Sequence, residues 1–109
     1  MGLTDSFPIA SERGEKSHRL TPAGELDIAT VPLLEAAFDD VEQGDVAKIV
    51  VDLSAITFID STGIQLLLRM NDRCADADRL AIVASPAVER LLDITALRDQ
   101  LPLVADAQA

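Results

Sequence analysis

The run Ala47-Lys48-Ile49-Val50-Val51-Asp52-Leu53 constrains the fold more than any other segment of the chain. Its β-branched centre is short and apolar on both faces, which suits a strand buried in the middle of a sheet. Helical periodicity flanks it on both sides. Ahead of it, Val31, Leu34, Phe38 and Val41 recur at spacings of 3, 4 and 3, one stripe of a helix. Thr30 or Asp27 can cap the start of that helix, Pro32 is tolerated in a first turn, and Gly44 ends it. Behind it, a helix opening at Asp60-Ser61-Thr62-Gly63 carries Ile64, Leu67, Leu68 and Cys74 on one face. Arg79 to Ala84 is a second apolar strand. Ser85-Pro86 then starts a third helix, with Ser as N-cap and Pro at the first helical position, and Val88, Leu91 and Leu92 turn inward. Leu101 to Val104 is expected to add a last strand. At the N-terminal side, Phe7–Ser11 and Ser17–Ala23 form an opening hairpin around the polar turn Glu12–Lys16, and Gly24-Glu25-Leu26-Asp27 breaks the pattern. Strand and helix alternate through most of the chain, which calls for an α/β layer with parallel pairing.

The 109 residues have the usual size of one domain. A chain of this length buries roughly two-thirds of its surface on folding, enough for a core without disulfide or metal staples. With no Trp, no Tyr and three Phe, that core must be aliphatic. The single cysteine, Cys74, excludes an internal disulfide and a multi-thiolate metal site. No apolar run approaches the roughly 20 residues of a membrane span, and the N-terminus lacks the basic-then-apolar order of a signal peptide, so the expected compartment is the cytoplasm. Nine Lys and Arg against 19 Asp and Glu leave a net charge of -10. A nucleic-acid footprint needs a concentrated basic face, which is missing, and acidic membrane surfaces are disfavoured for the same reason. The chain should meet a basic or mixed protein surface.

Catalytic constellations are not legible. His18, the sole histidine, falls in a strand with no grouped ligands and reads as a half-exposed strand residue. Cys74 lies on the apolar stripe of its helix near the C-terminal end, where a free cysteine behaves as a small hydrophobe rather than an activated thiol. No glycine-rich phosphate loop precedes Lys-Ser or Lys-Thr. Glu35, Asp39, Asp40, Glu42 and Asp45 read as the solvated face and end of the first helix. No metal, cofactor or catalytic residue is expected on this chain.

The segment Thr57-Phe58-Ile59-Asp60-Ser61-Thr62-Gly63-Ile64 is different. An apolar stretch ends abruptly in Asp-Ser-Thr-Gly and a helix begins, placing Ser61 and Thr62 where unpaired backbone N–H groups and the positive dipole end accumulate. The plain reading is capping: Thr62 with Gln65 fits a capping box, and Ser61 alone can serve as N-cap. The functional reading is that Thr62 caps while Ser61 is an exposed hydroxyl available to a partner.

Val50-Val51-Asp52-Leu53 followed by Phe58-Ile59-Asp60-Ser61-Thr62-Gly63-Ile64 resembles the central signature of the STAS domain, the fold of bacterial anti-sigma factor antagonists. Gly24-Glu25-Leu26-Asp27 with Thr30, Arg79 to Val83, and Ser85-Pro86-Ala87-Val88-Glu89-Arg90-Leu91-Leu92 are similar to three further segments of that family, in order and spacing. The resemblance covers about residues 5 to 104, with 105–109 as a short tail of a single domain spanning 1–109. It ends in Asp106-Ala107-Gln108-Ala109, where many relatives continue into a longer C-terminal helix.

The resemblance implies an α/β fold, a mixed β-sheet of four to five strands with helices packed mainly on one side. It also implies partner switching in stress-response transcription control. The unphosphorylated antagonist binds an anti-sigma factor, itself a serine kinase of the histidine-kinase-like ATPase type, and frees a sigma factor. Phosphorylation on the serine of Asp-Ser-x-Gly, here Ser61, releases the antagonist, and a PP2C-type phosphatase resets it; the sequence leaves open whether Thr62 is a second acceptor. ATP and magnesium would belong to the kinase. Asp27 and Asp60 would flank Ser61, as positioning groups or as plain turn and cap residues. Ser61, Thr62, Gly63, Gln65 and Arg69 would face the partner from the second helix, although Gln65, Arg69 and Asp72 on its outward face read equally as solvated. The N–H groups of that helix would receive part of the phosphate's charge. Two other readings remain: a non-switching STAS scaffold or accessory subunit of a signalling or transport complex, and a small enzyme or nucleotide-binding domain.

Overall fold

The computed structural model describes residues 7–75 and 78–105. Gly14 closes the first turn, donating its N–H to the Ser17 carbonyl at 2.8 Å. Strands β1 (Ile9–Arg13) and β2 (Ser17–Pro22) are thereby antiparallel, with Ile9 opposite Pro22 and Arg13 opposite His18. The first strand thus lies two residues later than Phe7–Ser11, and Glu12 and Arg13 belong to it rather than to the turn. Gly24 has a φ of 109°, which turns the chain out of the sheet into β3 (Gly24–Leu26). The expected break in the pattern is therefore a short strand.

Helix α1 spans Val31–Glu42 and buries Val31, Leu34, Phe38 and Val41, the stripe read from the sequence. Strand β4 (Lys48–Asp52) follows, then β5 (Ile56–Ile59), α2 (Ser61–Cys74), β6 (Leu80–Val83) and α3 (Pro86–Thr95). The mixed four-stranded sheet has the order β1-β2-β4-β6, with β4 parallel to both neighbours and central as its composition requires. Leu103 makes one parallel bridge to Ile82, so the expected last strand is reduced to a single position at the sheet edge. β3 and β5 form a separate two-stranded parallel sheet.

Alternation along β4 and β6 divides the sheet faces. Ile49, Val51, Leu80 and Ile82 join one core with Phe38 of α1, Leu67 and Met70 of α2, and Val88 and Leu92 of α3. All three helices therefore pack on the same face. Val50, Ala81 and Val83 form a smaller cluster on the other face. There Arg19 of β2 reaches Asp52 of β4 at 2.5 Å. Asp52 is buried. Burial pushes its carboxyl pKa up, but hydrogen bonds from Ser54 and Arg19 and the guanidinium charge outweigh burial and leave it below its ordinary value.

The α2 stripe differs in detail from the expected one. Leu66 and Met70 are buried with Ile64, Leu67 and Cys74, whereas Leu68 is only half-buried. α3 is capped as expected: the Ser85 hydroxyl accepts from the Val88 N–H at 3.2 Å, with Pro86 opening the helix. Residues 5–6 and the tail 106–109 lie outside the described residues.

Candidate functional site: the amino end of helix α2

The site is assembled where the small sheet meets α2. β3 and β5 pair with Glu25 opposite Phe58 and Leu26 opposite Ile59. The next N–H, from Asp60, donates to the Leu26 carbonyl at 3.2 Å. This bond sets the loop that begins at Asp27 beside the first turn of α2, the adjacency that the resemblance implies.

Asp60 is the N-cap, not Ser61 or Thr62. Its backbone is extended, at φ -114° and ψ -173°, and its Oδ1 accepts from the N–H groups of Thr62 at 3.0 Å and Gly63 at 3.2 Å. The Thr62 hydroxyl donates to the same oxygen at 2.5 Å. The Asp60 carbonyl accepts from the N–H groups of Gly63 and Ile64 at 3.1 and 3.2 Å. Partial burial pushes the Asp60 carboxyl pKa up, but the Thr62 hydroxyl and the N–H groups of Gly63 and Thr62 outweigh it and hold it below its ordinary value.

This arrangement separates the two hydroxyls. Thr62 is half-buried and tied to Asp60. Ser61 is exposed, at the first position of the helix, and its hydroxyl makes no hydrogen bond to any described residue. It also corrects the electrostatic expectation. Three of the N–H groups that would share the charge of a phosphate on Ser61, those of Thr62, Gly63 and Ile64, already have Asp60 as their acceptor.

Gly63 is fixed by contact. A Cβ there would lie 2.7 Å from Ile59 Cγ1 and 3.1 Å from Leu26 Cγ, closer than such atoms pack. The missing side chain lets the start of α2 sit directly on β3 and β5, which holds Ser61 at the surface. Gly63 is therefore buried and serves placement rather than contact with a partner.

Asp27 acts mainly within its own loop. Its carboxylate accepts from the N–H groups of Ala29 at 3.0 Å and Thr30 at 3.2 Å, while Thr30 Oγ1 donates to the Glu25 carbonyl at 2.7 Å. Asp27 makes no hydrogen bond to Ser61 among the described residues. Gln65, Arg69 and Asp72 are exposed on α2, as expected. Arg69 is not free, however: its guanidinium reaches Glu35 of α1 at 3.2 Å. One turn further on, Arg73 pairs with Asp39 at 2.6 Å and with Glu42, and its guanidinium lies 5.3 Å from the centre of the Phe38 ring. The acidic face of α1 is thus partly neutralised by α2.

Three surface residues escaped sequence reasoning. Ile28, Phe58 and Ile94 are the exposed large hydrophobics among the described residues, at 75%, 49% and 73% of full exposure. Ile94 had a legible signal, since it falls off the Val88–Leu92 stripe. Phe58 lay within the quoted motif, but nothing local marks which way it points.

Elsewhere the chemistry is quiet. His18 is half-exposed and bonded to the Ser11 hydroxyl at 2.6 Å. Burial pushes the Cys74 thiol pKa up, the opposite of activation. No group of three or more His, Cys, Asp or Glu among the described residues is placed to hold a metal, and no described helix is long and apolar enough to cross a membrane.

Sequence and fold together place this layered α/β domain in a known family. The chain belongs to the STAS domain family, which it matches over residues 13–108. It is 31% identical over 90 residues to the anti-sigma-F factor antagonist RsfB of Mycobacterium tuberculosis, covering 83% of this chain and 74% of the relative. It is 32% identical over 97 residues to the anti-sigma-B factor antagonist of Staphylococcus aureus, covering 84% and 86%. The crystal structure of an anti-sigma factor antagonist from Mycobacterium paratuberculosis superimposes with a TM-score of 0.82 at 29% identity, covering 94% of this chain and 89% of that one.

Proposed function

We propose that this chain is a cytoplasmic anti-sigma factor antagonist switched by phosphorylation of Ser61. Its unmodified form binds an anti-sigma factor that is also its serine kinase, of the histidine-kinase-like ATPase type, and so frees a sigma factor. Phosphorylation ends the complex, and a PP2C-type phosphatase restores it. Membership of the family and the names of its relatives support the antagonist role. The observation that carries the switch is the contrast between neighbouring hydroxyls: Thr62 is tied to Asp60, whereas Ser61 is exposed and bonded to none of the described residues.

The electrostatics agree with release. A phosphoryl group adds about -1.5 to -2 charges at neutral pH. Asp60's carboxylate already takes the Thr62 and Gly63 N–H groups, which leaves that charge fewer donors within the domain. A chain at -10 then repels an acidic surface opposite more strongly, and against an apolar surface the phosphate would lose its hydration. A coupling of roughly 1–3 kcal/mol, or about 5- to 150-fold in affinity, is typical of such switches.

The test pairs site-resolved mass spectrometry of the chain from its own cells with binding of two variants to the purified anti-sigma factor. Phosphatase-sensitive modification is expected on Ser61 and not on Thr62. Ser61→Ala should keep binding and block modification, and Ser61→Asp should weaken binding. Equal binding by both variants, with Ser61 never modified under growth or stress, would remove the switch and leave a scaffold.

A further inference from the structure

We infer that the groove between β5 and α3 is a second docking point, which takes a partner segment carrying a large apolar side chain next to a carboxylate. The inference rests on the antagonist reading and adds the chemistry of the partner's contact. Phe58, Ala87, Leu91 and Ile94 line this groove of about 190 Å³, and Arg90 stands on its wall.

Exposed apolar surface is concentrated here. Ile94 and Phe58 are two of the three exposed large hydrophobics among the described residues, and they share one groove. Ile28, the third, lies in the Asp27 loop on the other flank of α2's first turn. Phe58 is three residues ahead of Ser61, and Ile59, which also lines the groove, ends the strand that leads to it, so one wall of the groove stands on the segment that presents the candidate switch. A concave apolar patch with an adjacent cation is a fitting seat for a partner's anchor residue.

The charge pattern selects the occupant. Arg69 and Arg73 of α2 and Arg98 after α3 are each paired with carboxylates of this chain. Arg90 is exposed and has no carboxylate partner among the described residues, although acids outnumber bases 19 to 9. Its guanidinium is thus available to a carboxylate from outside. Glu25 and Asp27, on β3 and in the loop that follows it, are acids close to Asp60, and they favour basic residues. A partner must therefore present basic groups towards the Asp27 loop and an apolar residue beside an acid towards α3. Complementarity of this divided kind fixes the orientation of docking.

The experiment uses the full chain and, as probe, the purified anti-sigma factor that phosphorylates Ser61. Ile94→Ser and Arg90→Glu should each raise the Kd at least about tenfold, the loss of a central contact. Melting temperatures should stay at the wild-type value, since neither side chain supports the core. In parallel, Ile94→p-benzoylphenylalanine should cross-link on illumination to a peptide of the anti-sigma factor that holds a large apolar residue next to Asp or Glu. Kd values within twofold of wild type overturn the inference while leaving the antagonist reading intact. So does a cross-link to a second copy of this chain, or to a peptide without a carboxylate. If the wild-type chain binds no anti-sigma factor, the antagonist reading fails first, and the groove's assigned role with it.

Discussion

The carboxylate of Asp60 holds the hydroxyl of Thr62 at 2.5 Å while capping the N–H groups of Thr62 and Gly63, leaving Ser61 between them with a hydroxyl that bonds to none of the described residues. One side chain thus both starts helix α2 and decides which of two neighbouring hydroxyls is presented. Asp60→Ala should cost about 0.5–2 kcal/mol, the range for losing an N-cap. Urea titration checks this. Phosphorylation mapped on the same variant should spread to Thr62, because its hydroxyl is released. A variant as stable as wild type and still modified only on Ser61 would refute the dual role.

Gly63→Ala should destabilise by about 1–3 kcal/mol, the range for overpacking a well-filled site. The added carbon would fall 2.7 Å from Ile59 Cγ1, the methylene bonded directly to the branched Cβ rather than the far end of a flexible chain. For a domain of this size each kilocalorie lowers Tm by roughly 4–8 °C. A calorimetric scan decides the matter, and an unchanged Tm would mean that α2 can move off β5 freely.

Acid should weaken the fold through Asp52 and Asp60. Both carboxyls lie below their ordinary pKa of 3.8 in the folded chain, so the unfolded chain takes up protons first as pH drops. Their contribution is complete above that value and is lost as pH falls through the folded ones. Asp52→Asn should flatten this acid limb, since its hydrogen bonds from Ser54 and Arg19 no longer discriminate in favour of a charged form. Denaturation midpoints measured from pH 7 down to about pH 2 give the comparison. Parallel curves for variant and wild type would contradict it.

Arg73 ties the two long helices together, pairing with Asp39 and Glu42 of α1 and lying over Phe38. Its guanidinium is about one-third exposed, so the ion pairs are partly screened. Arg73→Met should cost about 1 kcal/mol at low salt and less at 1 M salt, with the cation–π share persisting. A cost independent of salt would assign the whole effect to packing on Phe38.

Local periodicity by itself determined much of this protein. The spacing of Val31, Leu34, Phe38 and Val41 marked the buried face of α1, the β-branched centre of Ile49-Val50-Val51 marked the middle strand, and Ser85-Pro86 marked the start of α3. These features are legible because helix stripes and caps depend on residues within a turn or two of one another. The same logic placed Ser61 and Thr62 at a helix start, with capping as the plain reading, and the resemblance to the STAS domain singled out Ser61.

Tertiary structure alone decided the rest. β3 and β5 are three and four residues long, too short to show an alternation, and each is a strand only because the other lies beside it. Which residue caps α2 depends on the extended backbone of Asp60, held by the distant Leu26 carbonyl. That Gly63 must be glycine follows from the approach of Ile59 and Leu26, and that Arg69 is engaged follows from α1 lying alongside. Phe58 and Ile94 face water in one groove because α3 packs across β5. Each of these outcomes is a contact between segments remote in the chain, and a one-dimensional pattern carries no term for such contacts.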